Sequence, residues 1–331
     1  MKKILRSILP AACALLLGAG ATSCLKYEKK ANSSTTGSTT MVCDASFQNI
    51  MQQEVDVFEY QYPDAHILAR YEPQSVALDS LMSLNTKTIV IARDLTDQEK
   101  RVLRSKKKSV KSAKIAVDAV ALIVNKENPI EMLTVGEVAD ILSGSSRQWN
   151  DLEPSKLGEI AVIFDDKGSS LVSYMRDSLL NGGELGPNVY AQGSVPKVFD
   201  AVKQNRNAIG VLGVSWITSD MSGADVNPDS LAVEMLSDSP VIGATLSDDI
   251  KVLKIRRNDE VTAYKPYQQN IFDGTYPLFR QIYMITTGVS GSLASGFYSF
   301  VTGETGQKII MKTGILPART RIQVVQLGED E

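Results

Sequence analysis

Short apolar runs recur along the chain, each followed by a polar turn and then by a segment with helical spacing. Three of these runs are TIVIA at residues 88–92, IAVIF at residues 160–164 and AIGVLGV at residues 208–214. Runs of four to eight apolar residues bounded by turns are typical of buried strands. Strands that alternate with helices form a mostly parallel sheet with helices on both faces. The sequence therefore predicts an α/β fold.

The remaining elements follow from the same change between strand and helix patterns. The other predicted strands lie at residues 41–43, 65–71, 115–124 and 282–286. The predicted helices span residues 47–60, 75–85, 169–180, 195–203 and 296–311. One more helix is predicted to begin near Thr134, where Thr134 and Glu137 have the spacing of a capping box. Residues 219–249 show no clear pattern and are predicted to be rich in loops.

The N-terminal segment predicts export across a membrane. Lys2, Lys3 and Arg6 precede a short apolar stretch at residues 8–21. This stretch is too short to span a bilayer comfortably, and a positive start followed by a short apolar stretch is typical of a signal peptide. We predict a signal peptide at residues 1–23.

A cysteine follows the predicted signal peptide directly. The sequence ATSC at residues 21–24 resembles the lipobox of bacterial lipoproteins, in which the cysteine is acylated and becomes the first residue. We predict that Cys24 carries lipid and that residues 24–40, which are polar and small, form a flexible tether. The alternative is an ordinary signal peptide followed by a chance cysteine.

Composition excludes several classes of function. The chain has 331 residues, with 35 Lys and Arg against 38 Asp and Glu, and this formal net charge of −3 argues against a nucleic-acid-binding protein. The lysines at residues 106–114 lack interleaved aromatic residues and are predicted to form a solvated edge. Because His66 is the single histidine, the sequence argues against His-based triads and His-rich metal sites. Cys43 is predicted to be a buried, inert thiol. No metal or cofactor is expected.

Three predicted junctions between a strand and a helix carry groups suited to an anion. They lie at residues 44–47, 92–96 and 167–170. Helix N-termini present unpaired N–H groups, and ligands of open α/β sheets bind beyond the carboxyl ends of strands. Hydroxyl and amide groups that converge at such junctions form a cage suited to a phosphate-like anion.

Each junction also has a simpler interpretation. Ser46, Thr96 and either Ser169 or Ser170 could be ordinary N-caps of their helices. The neighbouring residues Arg93 and Asp94 could form a surface pair without a ligand.

Longer segments of the chain resemble the phosphate-binding proteins of ABC transporters, the PstS family. Within that family, the chain resembles most the lipoprotein members from Bacteroidetes-type bacteria. The resemblance covers residues 41–327 and is carried by LTVGEVADILSGSSRQWNDL at 133–152, AIGVLGVSW at 208–216, YPLFRQIYMI at 276–285 and SFVTGETGQKIIMKTGILP at 299–317, together with IAVDAVALIVNKENP at 115–129. It implies a class II periplasmic-binding-protein fold with two α/β lobes joined by two hinge strands.

The resemblance also implies a division of the chain. Residues 41–114 and 280–331 would form lobe 1, and residues 115–279 would form lobe 2. The hinge strands would lie near residues 115–120 and 276–285.

Site residues carry over from the family position by position. Ser46 and Phe47 match the first phosphate loop of the family, and Asp94 matches the aspartate that accepts a proton from bound phosphate. The serine-rich loop that opens a helix of the second lobe matches Gly168, Ser169 and Ser170. A carboxylate acceptor suits phosphate, which keeps a proton at neutral pH, and it repels fully ionised sulfate.

The chain departs from the family pattern beside the serine-rich loop. Many members have an arginine there, whereas this chain has Phe164 and Asp165. The resemblance leaves Arg93 or Arg176 as replacements for that charge. Asp165 and the Asp166 that follows it bring negative charge close to the expected anion site.

The sequence thus predicts a receptor and not an enzyme. Its expected partners are inorganic phosphate or a similar oxyanion, an ABC-transporter permease, and the membrane of the cell envelope through lipid on Cys24. The alternative is a surface or adhesion lipoprotein that keeps the fold without binding phosphate, or a receptor for another oxyanion. A hydrolase based on Ser169 or Ser170 has little support, because neither serine lies in a G-x-S-x-G elbow and no histidine base is available.

Overall fold

The computed structural model describes residues 32–218, 228–237 and 249–319. The predicted signal peptide, Cys24 and the first part of the predicted tether lie outside these residues. In the part of the chain that is described, no helix combines the length and the apolar character needed to cross a bilayer.

Twelve strands and eleven α-helices are interspersed through the described residues, which confirms the predicted α/β class. The strands are β1 (Gly37–Asp44), β2 (Ala65–Glu72), β3 (Thr88–Ile91), β4 (Lys111–Asn125), β5 (Met132–Thr134), β6 (Ala161–Phe164), β7 (Val189–Ala191), β8 (Ala208–Gly213), β9 (Ile250–Val252), β10 (Lys254–Arg256), β11 (Phe279–Thr286) and β12 (Leu316–Pro317). The helices are α1 (Gln48–Gln61), α2 (Gln74–Met82), α3 (Asp97–Ser105), α4 (Val135–Ser143), α5 (Ser170–Leu179), α6 (Val195–Gln204), α7 (Ser215–Thr218), α8 (Pro228–Leu236), α9 (Gln268–Phe272), α10 (Leu293–Val301) and α11 (Glu304–Lys312).

One large mixed sheet organises these elements. Its main strand order is β2-β1-β3-β11-β4-β8-β6-β7, and β9 and β12 also pair with β4. Strands β2, β1 and β3 are parallel to one another, as are β8, β6 and β7. The antiparallel strands β11 and β4 join the two parallel blocks. The prediction of a mostly parallel sheet is therefore right within each block but wrong at the centre, because apolar runs do not reveal strand direction.

Helices cover both faces of the sheet, as the alternation of side chains in β1 illustrates. Met41 and Cys43 face the apolar cluster that contains α1, whereas Val42 faces the cluster formed with α2 and α3. In the other block, α6 packs against β4, β6 and β8. Cys43 is fully buried, as predicted. His66 is exposed on the edge strand β2.

Three differences from the sequence prediction concern the tether, the last predicted helix and the loop-rich segment. Strand β1 begins at Gly37 and not at residue 41, because residues 37–40 pair with β2, so this end of the predicted tether belongs to the sheet. The predicted helix at residues 296–311 is two helices, α10 and α11, separated at Thr302 and Gly303. The predicted loop-rich segment contains α8, which packs against α1 and α11.

Candidate functional site

A buried ion pair joins the two central antiparallel strands. Arg280 of β11 lies opposite Asp118 of β4 in the strand register. Its Nε and Nη2 atoms donate to Asp118 Oδ2 at 3.2 Å and 3.0 Å, and the two side chains are only 1% and 0% exposed. Gly213 of β8 leaves room for this pair, since a Cβ atom there would lie 2.5 Å from Asp118 Oδ2. A buried charge is strongly destabilising without its partner. The ion pair therefore favours the register in which Arg280 lies opposite Asp118.

The same guanidinium reaches the two junctions that carry the predicted serines. Arg280 Nη1 donates to Ser170 Oγ at 2.6 Å, at the start of α5. Its Cζ lies 4.3 Å from the centre of the Phe47 ring, in the short 3-10 helix Ala45–Phe47 that leads into α1. Ser46 Oγ lies 3.3 Å from Ser170 Oγ. The junctions after β1 and β6 therefore meet at Arg280.

The hydrogen-bond partners determine which group donates in each contact of this cluster. A guanidinium can only donate, so Ser170 Oγ accepts from Arg280. Ser46 Oγ donates to Asp44 Oδ1 at 2.7 Å, and that oxygen also accepts from the Ser46 backbone N–H at 2.9 Å. The Ser170 hydroxyl is then the donor to Ser46, and the chain of donors runs from Arg280 through two serines to Asp44.

A third junction, at the end of β8, also contacts the first. Trp216 Nε1 donates to the Ser46 carbonyl oxygen at 3.0 Å, and Ser215 Oγ donates to Asn49 Oδ1 at 3.2 Å. Both contacts join residues that follow β8 to residues at the start of α1. In this arrangement, an anion placed between the serine hydroxyls would have to replace the contact between Ser46 and Ser170.

Two further carboxylates lie in the same cluster. Asp44 and Asp165 are 0% and 3% exposed, and Asp44 Oδ2 and Asp165 Oδ1 have no hydrogen-bond partner in the described structure. Burial raises the pKa of Asp165, while hydrogen bonds from Ser169 and the Asp166 backbone lower it and the charge of Asp44 raises it further. Burial likewise raises the pKa of Asp118 against the lowering effect of Arg280. The site therefore contains three buried carboxyl groups and one buried guanidinium.

The junction after β3 forms its own network. Arg93 pairs with Glu99 through Nη2 at 2.8 Å. Asp94 accepts from Lys100 Nζ at 2.7 Å and from Ser112 Oγ at 2.6 Å. Desolvation raises the pKa of Asp94, but these hydrogen bonds and that of the Leu95 backbone outweigh it and lower the pKa overall. The contacts of Asp94 thus lie with α3 and β4, and not with Ser46, Ser170 or Arg280.

The other candidate residues lie at a helix N-cap or at the surface. Ser169 is the N-cap of α5 and accepts from the Val172 N–H at 3.5 Å, as its simpler interpretation requires. Gly168 is exposed, and its N–H donates to Asp166 Oδ1 at 2.7 Å. Arg176 pairs with its neighbour Asp177 at the surface. Arg93 and Arg176 were the expected replacements for the arginine that many family members have beside the serine-rich loop. Neither contacts Ser46 or Ser170, whereas Arg280 donates to Ser170.

Sequence reasoning did not select Arg280 as a site residue, although a signal was present. Asp118 interrupts the apolar run IAVDAVALIV, and Arg280 interrupts the strand YPLFRQIYMI. Opposite charges within two apolar strands indicate that the strands pair and bury an ion pair, because neither charge could be buried alone.

Comparison with known proteins agrees with this fold. The model of the PBP superfamily domain matches residues 29–305 of the chain. The phosphate-binding protein PstS of Pseudomonas aeruginosa is 22% identical over 90% of this chain and 87% of its own length. The protein of the same name from Staphylococcus aureus strain RF122 is 22% identical over 98% of this chain and 88% of its own length.

Among solved structures, the chain is similar to an ABC-type phosphate transport receptor from Vibrio cholerae. The TM-score is 0.60 at 18% identity, and the match covers 85% of this chain and 100% of the receptor. The similarity to PfluDING, a high-affinity periplasmic phosphate-binding protein bound with phosphate, has a TM-score of 0.62 at 12% identity over 85% and 90% of the two chains. At these identities the likeness establishes the fold.

Proposed function

Because the chain belongs to the PBP superfamily, we propose that it is an extracytoplasmic receptor that captures inorganic phosphate for uptake by an ABC transporter. Its similarity to PstS proteins along most of both chains supports this role. The ligand would be held and released, with no chemical turnover.

The observation that carries this proposal is the meeting of Ser46, Ser170 and Arg280. The Ser170 hydroxyl and the buried Arg280 guanidinium supply donors at this meeting point, and the Ser46 hydroxyl, which donates to Asp44, lies beside them. Arginine and helix-start hydroxyls are common partners of tetrahedral oxyanions in proteins. An entering phosphate would take the Ser170 hydrogen bond away from Ser46 and lie between the two junctions.

The proposed lobes are residues 41–114 with 280–331, and residues 115–279. Strands β4 and β11 pair with each other across the centre of the sheet, where hinge strands are required. Closure of the lobes on phosphate by a hinge motion would then present both lobes to a permease.

Lipid on Cys24 would anchor this receptor to the cell envelope, at the periplasmic face or at the cell surface. Radiolabelled fatty acid should be incorporated by the wild-type chain expressed in bacteria, and a Cys24→Ser variant should lose the label. Label on the variant, or none on the wild type, would contradict the anchor without affecting the ligand site.

Isothermal titration of the full chain, purified in detergent and freed of phosphate, tests the ligand. We expect phosphate to bind and sulfate and molybdate to bind far more weakly. Ser170→Ala should reduce phosphate affinity about tenfold or more, since a hydrogen bond to a charged group contributes about 1.5–3 kcal/mol. Ser143→Ala, at an exposed serine of α4, is the matched control and should bind as the wild type does.

A second candidate is a surface lipoprotein that keeps the fold without binding an anion. The direct contact between Ser46 and Ser170 and the excess of buried carboxyl groups favour it. Absence of heat with all three anions, in a protein shown to be folded, would favour this candidate over the receptor.

A further inference from the structure

The amino ends of three neighbouring strands carry a concentration of lysine side chains. Lys111, the first residue of β4, pairs with Thr286 of β11, and Thr286 pairs with Thr88, the first residue of β3. Strand β1 enters the sheet at the same end, because Met41 pairs with Thr88 and the strand begins at Gly37. The lysine end of the sheet, as we name it, comprises Lys87, Lys106, Lys107, Lys108 and Lys111.

The segments that meet at the lysine end contain no acidic residues. No Asp or Glu occurs in residues 32–43, 83–93, 105–117 or 282–303, although the whole chain has a formal net charge of −3. Asp64 lies at the outer corner, before the edge strand β2. The lysines of this end, other than the half-buried one that begins β4, are exposed and form no ion pair within the described residues. Their uncompensated charge attracts an anionic surface.

Apolar side chains are exposed among these lysines. A groove of about 240 Å³ lies between Lys87 and Lys108. Leu84 and Val289 also line this groove, and they are 38% and 74% exposed. Lysines beside exposed apolar side chains suit the boundary between water and a lipid bilayer, where the lysine stems pack on apolar groups and the ammonium groups meet the lipid headgroups.

The chain that comes from the proposed lipid site reaches the sheet at this same end. Ser34 packs against the first turns of α10, since a Cβ atom at Gly296 would lie 1.8 Å from the Ser34 carbonyl oxygen. Lys111 Nζ donates to Ser295 Oγ of that helix at 3.1 Å. The segment that precedes β1 therefore packs on the same helix that Lys111 contacts.

We propose that the lysine end docks on the anionic headgroups of the membrane to which Cys24 is anchored. This inference rests on the lipid anchor of the proposed function. The eight residues from Cys24 to Asn32 can span at most about 28 Å, so a lipid on Cys24 keeps the lysine end near the bilayer and raises its effective concentration there. Each lysine close to an anionic membrane surface strengthens binding about fivefold.

Docking in this orientation directs the ligand site away from the membrane. The contact between Ser46 and Ser170 lies beyond the carboxyl end of β1, whereas the lysine end lies at its amino end. A strand of eight residues is about 25 Å long. The protein would therefore rest on the membrane with its proposed phosphate site facing the solution.

The test uses the acylated full chain in two kinds of vesicle, one of phosphatidylcholine alone and one that also contains phosphatidylglycerol. A dye on Val289→Cys reports contact through a quencher carried on the lipid headgroups, since Cys43 is buried and the proposed lipid blocks Cys24. We expect severalfold stronger quenching in the anionic vesicles than in the neutral ones, and we expect high salt to remove the difference. The matched reporter is Val261→Cys, an exposed valine after β10, which should be quenched equally in both.

Two pairs of substitutions connect the quenching to the lysines. Lys87→Gln with Lys108→Gln, on the Val289→Cys background, should reduce the docked population about tenfold or more, since each lysine contributes about fivefold. The control pair, Lys126→Gln with Lys203→Gln, removes the same charge from exposed positions near β8 and β9 and should keep the strong quenching.

The outcomes separate this inference from the proposed function. Equal quenching at Val289 in both kinds of vesicle, with the protein bound to them, would overturn the docking and leave the anchor and the receptor intact. Quenching that survives in the Lys87 and Lys108 variant would also overturn it. Quenching in neutral vesicles that grows with the amount of protein would assign the lysine end to a second copy of the chain. A chain that fails to float with either vesicle would overturn the anchor and the docking together, whereas phosphate titration in detergent tests the receptor separately.

Discussion

The hydroxyl oxygens of Ser46 and Ser170 lie 3.3 Å apart, although 124 residues separate them in the chain. Ser46 lies two residues beyond the end of β1 and Ser170 six residues beyond the end of β6, so this contact joins the junctions that follow two strands of different parallel blocks. Trp216, which follows β8, donates to the carbonyl oxygen of Ser46. A ligand that enters between the serines must therefore disturb the surroundings of Trp216.

Tryptophan emission should report that disturbance. The chain has two tryptophans, and Trp149 is buried with its Nε1 bonded to the Asn207 carbonyl oxygen. In a Trp149→Phe variant, phosphate should change the emission of Trp216, because its hydrogen bond to Ser46 shifts as the junctions separate. Sulfate should leave the spectrum unchanged. A phosphate-binding protein whose emission stays constant would contradict the role of the Ser46 contact.

Arg280 should matter for both stability and binding. Arg280→Met leaves Asp118 as a buried charge without a partner, and we expect a loss of about 3–5 kcal/mol in the free energy of unfolding at neutral pH. The double variant Arg280→Met with Asp118→Asn should recover a large part of this loss, because it leaves no unpaired charge at this buried position. Urea unfolding measures both changes.

Phosphate binding distinguishes the two roles of Arg280. The double variant should remain unable to bind phosphate, since the cation that faces Ser170 is still missing. Full recovery of phosphate affinity in that variant would show that Arg280 acts only as the counterion of Asp118.

The local elements were predictable because each depends on a short stretch of sequence. The first four residues of the run TIVIA form β3, and the capping box of Thr134 and Glu137 opens α4 as its spacing indicated. The convergence of Ser46 with Ser170 followed from a general rule on the carboxyl ends of strands, and the structure contains it.

The rest depended on contacts between distant segments. Arg280 lies in β11 and enters the site only because that strand pairs antiparallel with β4, which strand patterns do not specify. Asp94 has a suitable position in the sequence, but Lys100 and Ser112 occupy its carboxylate. Such competition for one side chain is visible only when the tertiary structure is known.

Glu54 should make the stability of the protein depend on pH. It lies in α1, is 0% exposed, and neither carboxylate oxygen has a hydrogen-bond partner in the described structure, so burial raises its pKa. A raised pKa means that the folded state binds the proton more tightly than the unfolded state. The resulting stability is present below the unfolded pKa of about 4.3 and is lost as pH rises through the folded pKa.

Replacement of Glu54 should remove the loss of stability that occurs as pH rises. Glu54→Met keeps a similar volume without a polar group and should raise the free energy of unfolding at neutral pH by about 1–3 kcal/mol, with a flatter pH profile. Glu184→Gln, at an exposed glutamate, is the control and should change neither quantity. Urea unfolding at several pH values provides the measurement, and a less stable Met variant at neutral pH would contradict the prediction.

Two glycines of β8 allow packing effects to be separated from effects on the site. A Cβ atom at Gly213 would lie 2.5 Å from Asp118 Oδ2 and 3.3 Å from Arg280 Nη2. A Cβ atom at Gly210 would lie 2.8 Å from methylene and methyl carbons of Ile123 and Val198, away from the ion pair. Both Gly→Ala variants should lose about 1–3 kcal/mol of stability through overpacking.

Only one of the two should alter the ligand site. Gly213→Ala must displace the Asp118 carboxylate, and Arg280 moves with it, so phosphate affinity should fall along with stability. Gly210→Ala crowds aliphatic side chains alone and should keep wild-type affinity despite a similar loss in the free energy of unfolding. Urea unfolding and phosphate titration of the two variants give the comparison. Equal affinities would mean that the ion pair between Arg280 and Asp118 does not control the position of the anion-binding guanidinium.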